Sequence, residues 1–120
     1  MSKPVISASW GAVGLLLIGC GGAAVPQDQL STAQAALKGA EVAGAAEDPK
    51  AALHLKLARE GLDRAKALIS DDRNEEAASA IDRAQADADL AIVLSKEARA
   101  KKEAADTREQ VEELKSRIVK

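Results

Sequence analysis

Aromatic residues are nearly missing from this chain: it has one tryptophan, no tyrosine and no phenylalanine. The tryptophan is Trp10, inside an N-terminal segment that reads as removable. Large aromatics dominate ordinary cores, so their absence excludes a thick globular interior. Cys20 is the one cysteine, which excludes an intramolecular disulfide and a cysteine-rich metal site. His54 is the one histidine, and no cysteine lies near it in sequence. It reads as a helix-surface residue with no special role, and no Ser-His-Asp set is built on it. The chain has no HExxH, no Walker loop and no G-x-G-x-x-G after a strand. Long apolar runs are also absent. The longest near the N-terminus, residues 12–18, falls well short of the ~20 residues that cross a bilayer. The formal charge is −2, which gives no reason to expect nucleic-acid binding.

Hydrophobic residues make up 47% of the chain, but much of that share is alanine, and 30% of residues are charged. Alanine with Leu, Glu, Lys, Arg and Gln is a helix-forming palette. The composition predicts one small all-α domain of thin, closely packed helices with solvated outer faces.

Residues 1–22 read MSKPVISASWGAVGLLLIGCGG. Lys3 supplies a positive start, AVGLLLI an apolar stretch, and Leu17-Ile18-Gly19-Cys20 a lipobox. The chemistry explains the pattern: diacylglycerol is attached to the thiol, and the peptidase cleaves before that cysteine, where a small residue fits. The expectation is a lipoprotein signal over 1–19, cleavage between Gly19 and Cys20, and a lipid on Cys20. The competing reading is a free or buried thiol at the end of an apolar helix. Two or three acyl chains anchor stably, at about 0.8 kcal/mol per buried CH₂. Gly rather than Asp at position 21 leans toward the periplasmic face of the outer membrane, so the expected location is the bacterial cell envelope.

Residues 20–27 read as a flexible tether and 28–120 as the helical domain. A first helix is expected over about 28–47, capped at Asp28 or by a Ser31/Gln34 capping box. Its apolar seam is Leu30, Ala33, Leu37, Ala40 and Gly44. Asp48-Pro49 is a strong start signal for a second helix over about 49–69. The second helix carries Ala51, Leu55, Ala58, Leu62, Ala65 and Ile69, widened by Leu57 and Leu68, and is the most apolar. It is therefore expected to lie between the other two. Asp72 and Glu75 read as another capping box, opening a third helix from 74 almost to the end. Its seam begins Ala77, Ile81, Ala84, Ala88, Ala91. At about 65 Å this helix is roughly twice as long as either partner. The predicted fold is an antiparallel hairpin or three-helix bundle with a long, partly overhanging third helix.

From about Arg99 that helix has nothing of its own to pack on. Residues 100–120 read as a charged arm on which Val111, Leu114 and Ile118 keep an apolar seam. Two readings stand: a solvated helix held by i,i+4 ion pairs, or a coiled-coil arm for self-association or an envelope partner.

The order of lipobox, helix, Asp-Pro break, AALHLKLAREGLDRAKA (51–67), acidic turn and the alanine-rich stretch 77–98 resembles domain-of-unknown-function family 4398. Those are alanine-rich helical domains of bacterial envelope lipoproteins, some preceding an OmpA-like peptidoglycan-binding domain. The resemblance covers about residues 27–100. It implies an envelope location and a helical fold, with no assigned activity. This chain departs from the family's usual Gly-Asp turn, carrying Asp71-Asp72-Arg73-Asn74 instead.

The adjacent acids Asp71/Asp72, Glu75/Glu76 and Glu112/Glu113 read as capping and solvation, not as acid–base pairs facing across a cleft. A calcium site at Asp71-Asp72-Asn74-Glu75 lacks the spacing of a known loop. No metal and no cofactor is expected. The functional expectation is a non-enzymatic, structural or adaptor lipoprotein anchored through Cys20. One alternative is a membrane-to-wall tether joined to peptidoglycan through Lys120, since small wall-linked helical lipoproteins also end in lysine. Another is a small-ligand binder or enzyme, which requires a polar pocket.

Overall fold

The computed structural model describes residues 22–120. The expected signal, the Gly19–Cys20 junction and the lipid-bearing Cys20 lie outside the described residues. Among the described residues there are three α-helices, one short 3₁₀ turn and no strand. Helix α1 is Gln27–Val42, the 3₁₀ turn Ala45–Glu47, α2 Pro49–Ser70 and α3 Asn74–Ile118.

The helix ends follow from local chemistry, and two differ from the sequence expectation. Helix α1 starts at Gln27, ahead of the expected caps, with Pro26 before it and no side-chain cap. The Ser31 hydroxyl donates to the Asp28 carbonyl at 2.8 Å instead of capping. The helix stops at Val42 rather than 47, because Gly44 turns the chain at φ +77°. A residue without Cβ adopts that left-handed conformation at no steric cost. Gly44 is thus a turn residue and not part of the α1 seam. At α2 the expected cap forms: the Asp48 carboxylate accepts from the amides of Lys50 at 3.0 Å and Ala51 at 2.9 Å. Pro49 occupies the first helical position, where its missing N–H costs nothing.

The turn into α3 is built differently from the Asp72/Glu75 capping box. Asp72 adopts φ +58°, and the amides of Asp72 and Arg73 return to the carbonyls of Ile69 at 3.1 Å and Leu68 at 2.9 Å. With Asp72 spent on that turn, the first turn of α3 is held by the Arg73 guanidinium, whose Nε donates to Glu76 at 2.8 Å.

The shared helix is α3, not α2. Both α1 and α2 lie along α3 and pack less against each other. The reason is side-chain size. The buried row of α3 is Ala77, Ile81, Ala84, Ala88, Ala91 and Ser95, with one large side chain among them, so two helices can approach it closely. Two core layers result. Near the α2–α3 turn, Ala33, Leu62, Ala65, Ile81 and Ala84 cluster, backed by Leu30 and Leu37. Near Gly44, the cluster is Ala40, Ala45, Ala51, Leu55 and Ala91, backed by Ile92 and Leu94. The buried row of α2 ends on Leu68 rather than Ile69. Where α2 passes α3, a Cβ built on Gly61 would sit 2.9 Å from the Cβ of Ala84.

Burial on α3 ends at Ser95, whose hydroxyl donates to the Ala91 carbonyl at 2.7 Å. One turn on, the Arg99 guanidinium lies over Gly44, 2.7 Å from where a Cβ would stand. Every residue from 101 to 120 is exposed. Helix α3 is 45 residues long against 16 for α1 and 22 for α2. At about 1.5 Å per residue, roughly 30 Å of it projects beyond the bundle. At the opposite pole, the Asn74 side-chain amide donates to the Ala23 carbonyl at 2.8 Å and ties the entering chain to the start of α3.

Two substitutions follow. Gly44→Ala is expected to destabilise the fold by about 1–2 kcal/mol, since it places a side chain at positive φ and against Arg99. Gly61→Leu is expected to cost about 1–3 kcal/mol through overpacking against Ala84. Urea denaturation followed by circular dichroism measures both.

Candidate interaction surfaces on the second and third helices

The sequence offered His54 no partner. The antiparallel register of α2 and α3 supplies one: His54 Nδ1 lies 2.9 Å from Asp87 Oδ1, both side chains about three-quarters buried. A carboxylate accepts only, so Nδ1 carries the proton and donates. A histidine held this way has the orientation used in nucleophilic triads. No hydroxyl is placed to complete one from the adjoining groove. Its Ser79 stands eight residues from Asp87, about 12 Å along α3, and donates its own proton to the Glu75 carbonyl. The His54–Asp87 bond is a lock between helices.

The groove itself, about 380 Å³, runs between α2 and α3 on their outer side. Leu57, Gly61, Leu68 and Ala80 contribute its apolar lining, and Arg64 and Arg83 its basic part. Its acids are engaged elsewhere: Glu60 with Lys56, Glu76 with Arg73, and Asp87 with His54. Leu53 and Leu90 are also exposed. The register set by His54 and Asp87 brings Leu53 on α2 within one helical turn of the level of Leu90 on α3, at that end of the groove.

Between α1 and α2, Arg59 donates to Glu41 at 2.8 Å, and Lys38 donates to the same carboxylate at 3.2 Å. The Arg59 hydrogen bond first, then that of Lys38, holds the Glu41 carboxyl below its ordinary value. In the α2–α3 turn, the hydrogen bond between Arg73 and Glu76 lowers the acid and raises the base. At the root of the arm, Lys101 lowers Glu97 in the same way and is itself raised. Further out, Lys115 meets Glu112 at 3.0 Å and Arg117 meets Glu113. All are solvent-screened surface pairs, which add little to stability.

The arm residues singled out from sequence share one face. Val111, Leu114 and Ile118 are exposed by 42%, 57% and 83%. That face is not the continuation of the bundle seam. At about 100° per residue, Val111 lies roughly half a turn around α3 from Ala91, so the arm's apolar row looks away from the core row. Lys120 is exposed beyond the end of α3. The structure does not bring it near the other arm positions as a cluster. Among the described residues, no three His, Cys, Asp or Glu side chains are placed to hold a metal ion, including the acids of the 71–75 turn. No described helix is long and apolar enough to cross a membrane.

An alanine-cored helical bundle with a one-helix overhang is the class of protein these features define. Residues 28–107 match a family described as a domain of unknown function (DUF4398), two thirds of the chain. The chain belongs to that family. The match covers the bundle and the root of the arm, and ends before Val111. No curated protein and no solved structure gives a significant match.

Replacing His54 by alanine is expected to cost about 1 kcal/mol, a part-buried bond to a charged group, read as a lower urea midpoint. The Glu41 contacts make a separate, pH-dependent contribution. Because the folded carboxyl is lowered, its contribution is fully present above the ordinary glutamate value of about 4.3. It is lost as the pH falls through the lowered value. The melting temperature of Glu41→Gln should therefore lie below that of the native chain at neutral pH, with the gap closing on acidification.

Proposed function

We propose that this chain is a lipid-anchored, non-enzymatic scaffold or adaptor of the bacterial cell envelope, held to the outer membrane through Cys20. The observation that carries the reading is the opposition of its two ends. The chain enters at one pole, where Ala23 is bound to Asn74, and the exposed arm leaves from the other. A lipid on Cys20 would thus hold the bundle by one end and direct the arm away from the membrane. The lipobox Leu17-Ile18-Gly19-Cys20 supports the anchor, and the exposed row Val111, Leu114 and Ile118 supports a docking role. Family membership is compatible with this reading and assigns no activity of its own.

Two measurements test it. An alkyne fatty acid fed to a bacterial host should label the protein, and Cys20→Ser should abolish the label and release the protein from the membrane fraction. A photo-crosslinking residue at Val111 should give a discrete protein adduct in intact cells. Labelling that persists in Cys20→Ser would sink the anchor. A sacculus-bound product that forms without irradiation and disappears with Lys120→Arg would replace the adaptor by the wall tether.

A further inference from the structure

The exposed row on α3 is longer than the three residues that first marked it. From Ala100 it runs through Ala104, Thr107, Val111, Leu114 and Ile118, with spacings of four and three in alternation. Counted backwards, the same spacing passes Glu97 and reaches Val93 and Leu90, which are 59% and 40% exposed on the flank of the bundle. A strict alternation of three and four is the seam of a two-stranded coiled coil. Nothing in the described chain covers it, because the core row of α3 faces the other way.

The charges beside this row are lopsided. One flank is Lys101, Arg108 and Lys115; the other is Lys96, Glu103, Gln110 and Arg117. The other four acids of the arm, Asp106, Glu109, Glu112 and Glu113, fall on the back of the helix, and Glu103 is the one acid beside the row. Lys96 and Arg108 hold no ion pair among the described residues. Lys101, Lys115 and Arg117 hold only exposed pairs along their own helix, which cost little to release.

That distribution selects the occupant. In a parallel pair of two copies, Lys96 would oppose Lys101, Glu97 would oppose Glu97, and one favourable pair, Glu103 with Arg108, would remain. In an antiparallel pair, Lys101 would oppose Arg108 and Lys96 would oppose Arg117. Like charges at these flanks set partner choice against self-pairing. A lipid surface fits less well, because interfacial helices present a broad apolar face rich in Trp, Phe and Leu. This row is one residue wide and contains no aromatic.

We propose that the α3 arm is one strand of a heterotypic coiled coil, and that its partner is a helix of another protein with an apolar heptad row flanked by acidic residues. The inference rests on the adaptor reading and names the chemistry of the partner. It is tested with the full chain carrying Cys20→Ser and a labelled synthetic four-heptad peptide with Leu and Ile in the seam and Glu on both flanks. Fluorescence anisotropy should show saturable binding at physiological salt, at least tenfold tighter than to the same peptide with Lys on its flanks. The triple variant Lys101→Glu, Arg108→Glu, Lys115→Glu should reverse that preference. Val111→Asp with Leu114→Asp should abolish binding. All five positions are exposed, and unchanged helicity by circular dichroism checks the fold. Reversal of charge at Lys102, on the back of the helix, and at Lys120, beyond its end, should change affinity less than twofold.

Equal binding of the two peptides would overturn the proposal. So would an arm-dependent dimer of the chain alone in sedimentation velocity, or binding to phosphatidylglycerol vesicles that Val111→Asp abolishes and the acidic peptide does not displace. Fatty-acid labelling at Cys20 is independent of the arm, so failure of the peptide experiment and failure of the anchor remain distinguishable.

Discussion

Everything in this bundle depends on how closely its helices approach. Ten of the fourteen buried apolar residues are alanine, and Leu55, Leu62, Leu68 and Ile81 are the exceptions. A methyl group removed from water contributes about 0.8 kcal/mol, so no single contact holds the fold. The stabilisation is a sum of small terms, each of which exists only while the backbones stay at the short end of the usual 8–10 Å helix spacing. The bare backbone of Gly61 against Ala84, and the contact between Gly39 and the Ile92 side chain, belong to the same requirement. A larger core would tolerate a misplaced methylene by shifting a long side chain. Here there are few long side chains to shift.

That constraint also explains what could be read from the sequence and what could not. The fold class was legible because composition and the 3-4 recurrence of Ala and Leu leave helices as the one economical way to bury so little. The start of α2 was legible because Asp48 and Pro49 act within a single turn. The end of α1 was not, because Gly44 fits the 3-4 spacing as well as it fits a turn, and only the backbone angle separates the two. The central position was assigned to α2 for its leucines, whereas small residues on α3 decide which helix can receive two neighbours. His54 and Asp87 are 33 positions apart. Their pairing follows from the antiparallel register, which no local pattern contains. The phase of the arm relative to the core row is hidden for a related reason. Val111, Leu114 and Ile118 have the right spacing for the bundle seam, but the count of residues between them and Ala91 carries them around the helix.

Charge is arranged along α3 with the same economy. Its first half, beside α2, engages two of its five acids in side-chain contacts, Glu76 with Arg73 in the turn and Asp87 with His54 across the helices. Its second half distributes charge around the helix, with four of its five acids behind the apolar row and Lys101, Arg108, Lys115 and Arg117 beside it. A free helix of this length gains only modestly from ion pairs along its surface. The asymmetric placement of its cations is therefore a statement about what it can sit against, more than about what keeps it helical.

The placement of the two ends has a mechanical consequence. The chain enters beside the first residue of α3 and leaves at its last, and α1 runs parallel to α3. Tension between residue 22 and the tip would draw α1 and α3 in opposite senses along their common axis. Their contacts, including Gly39 on Ile92, would be loaded all at once in shear, rather than peeled apart one at a time. A hairpin with both ends at one pole would unzip under the same pull. This topology instead makes a strut whose resistance grows with the length of helix in contact.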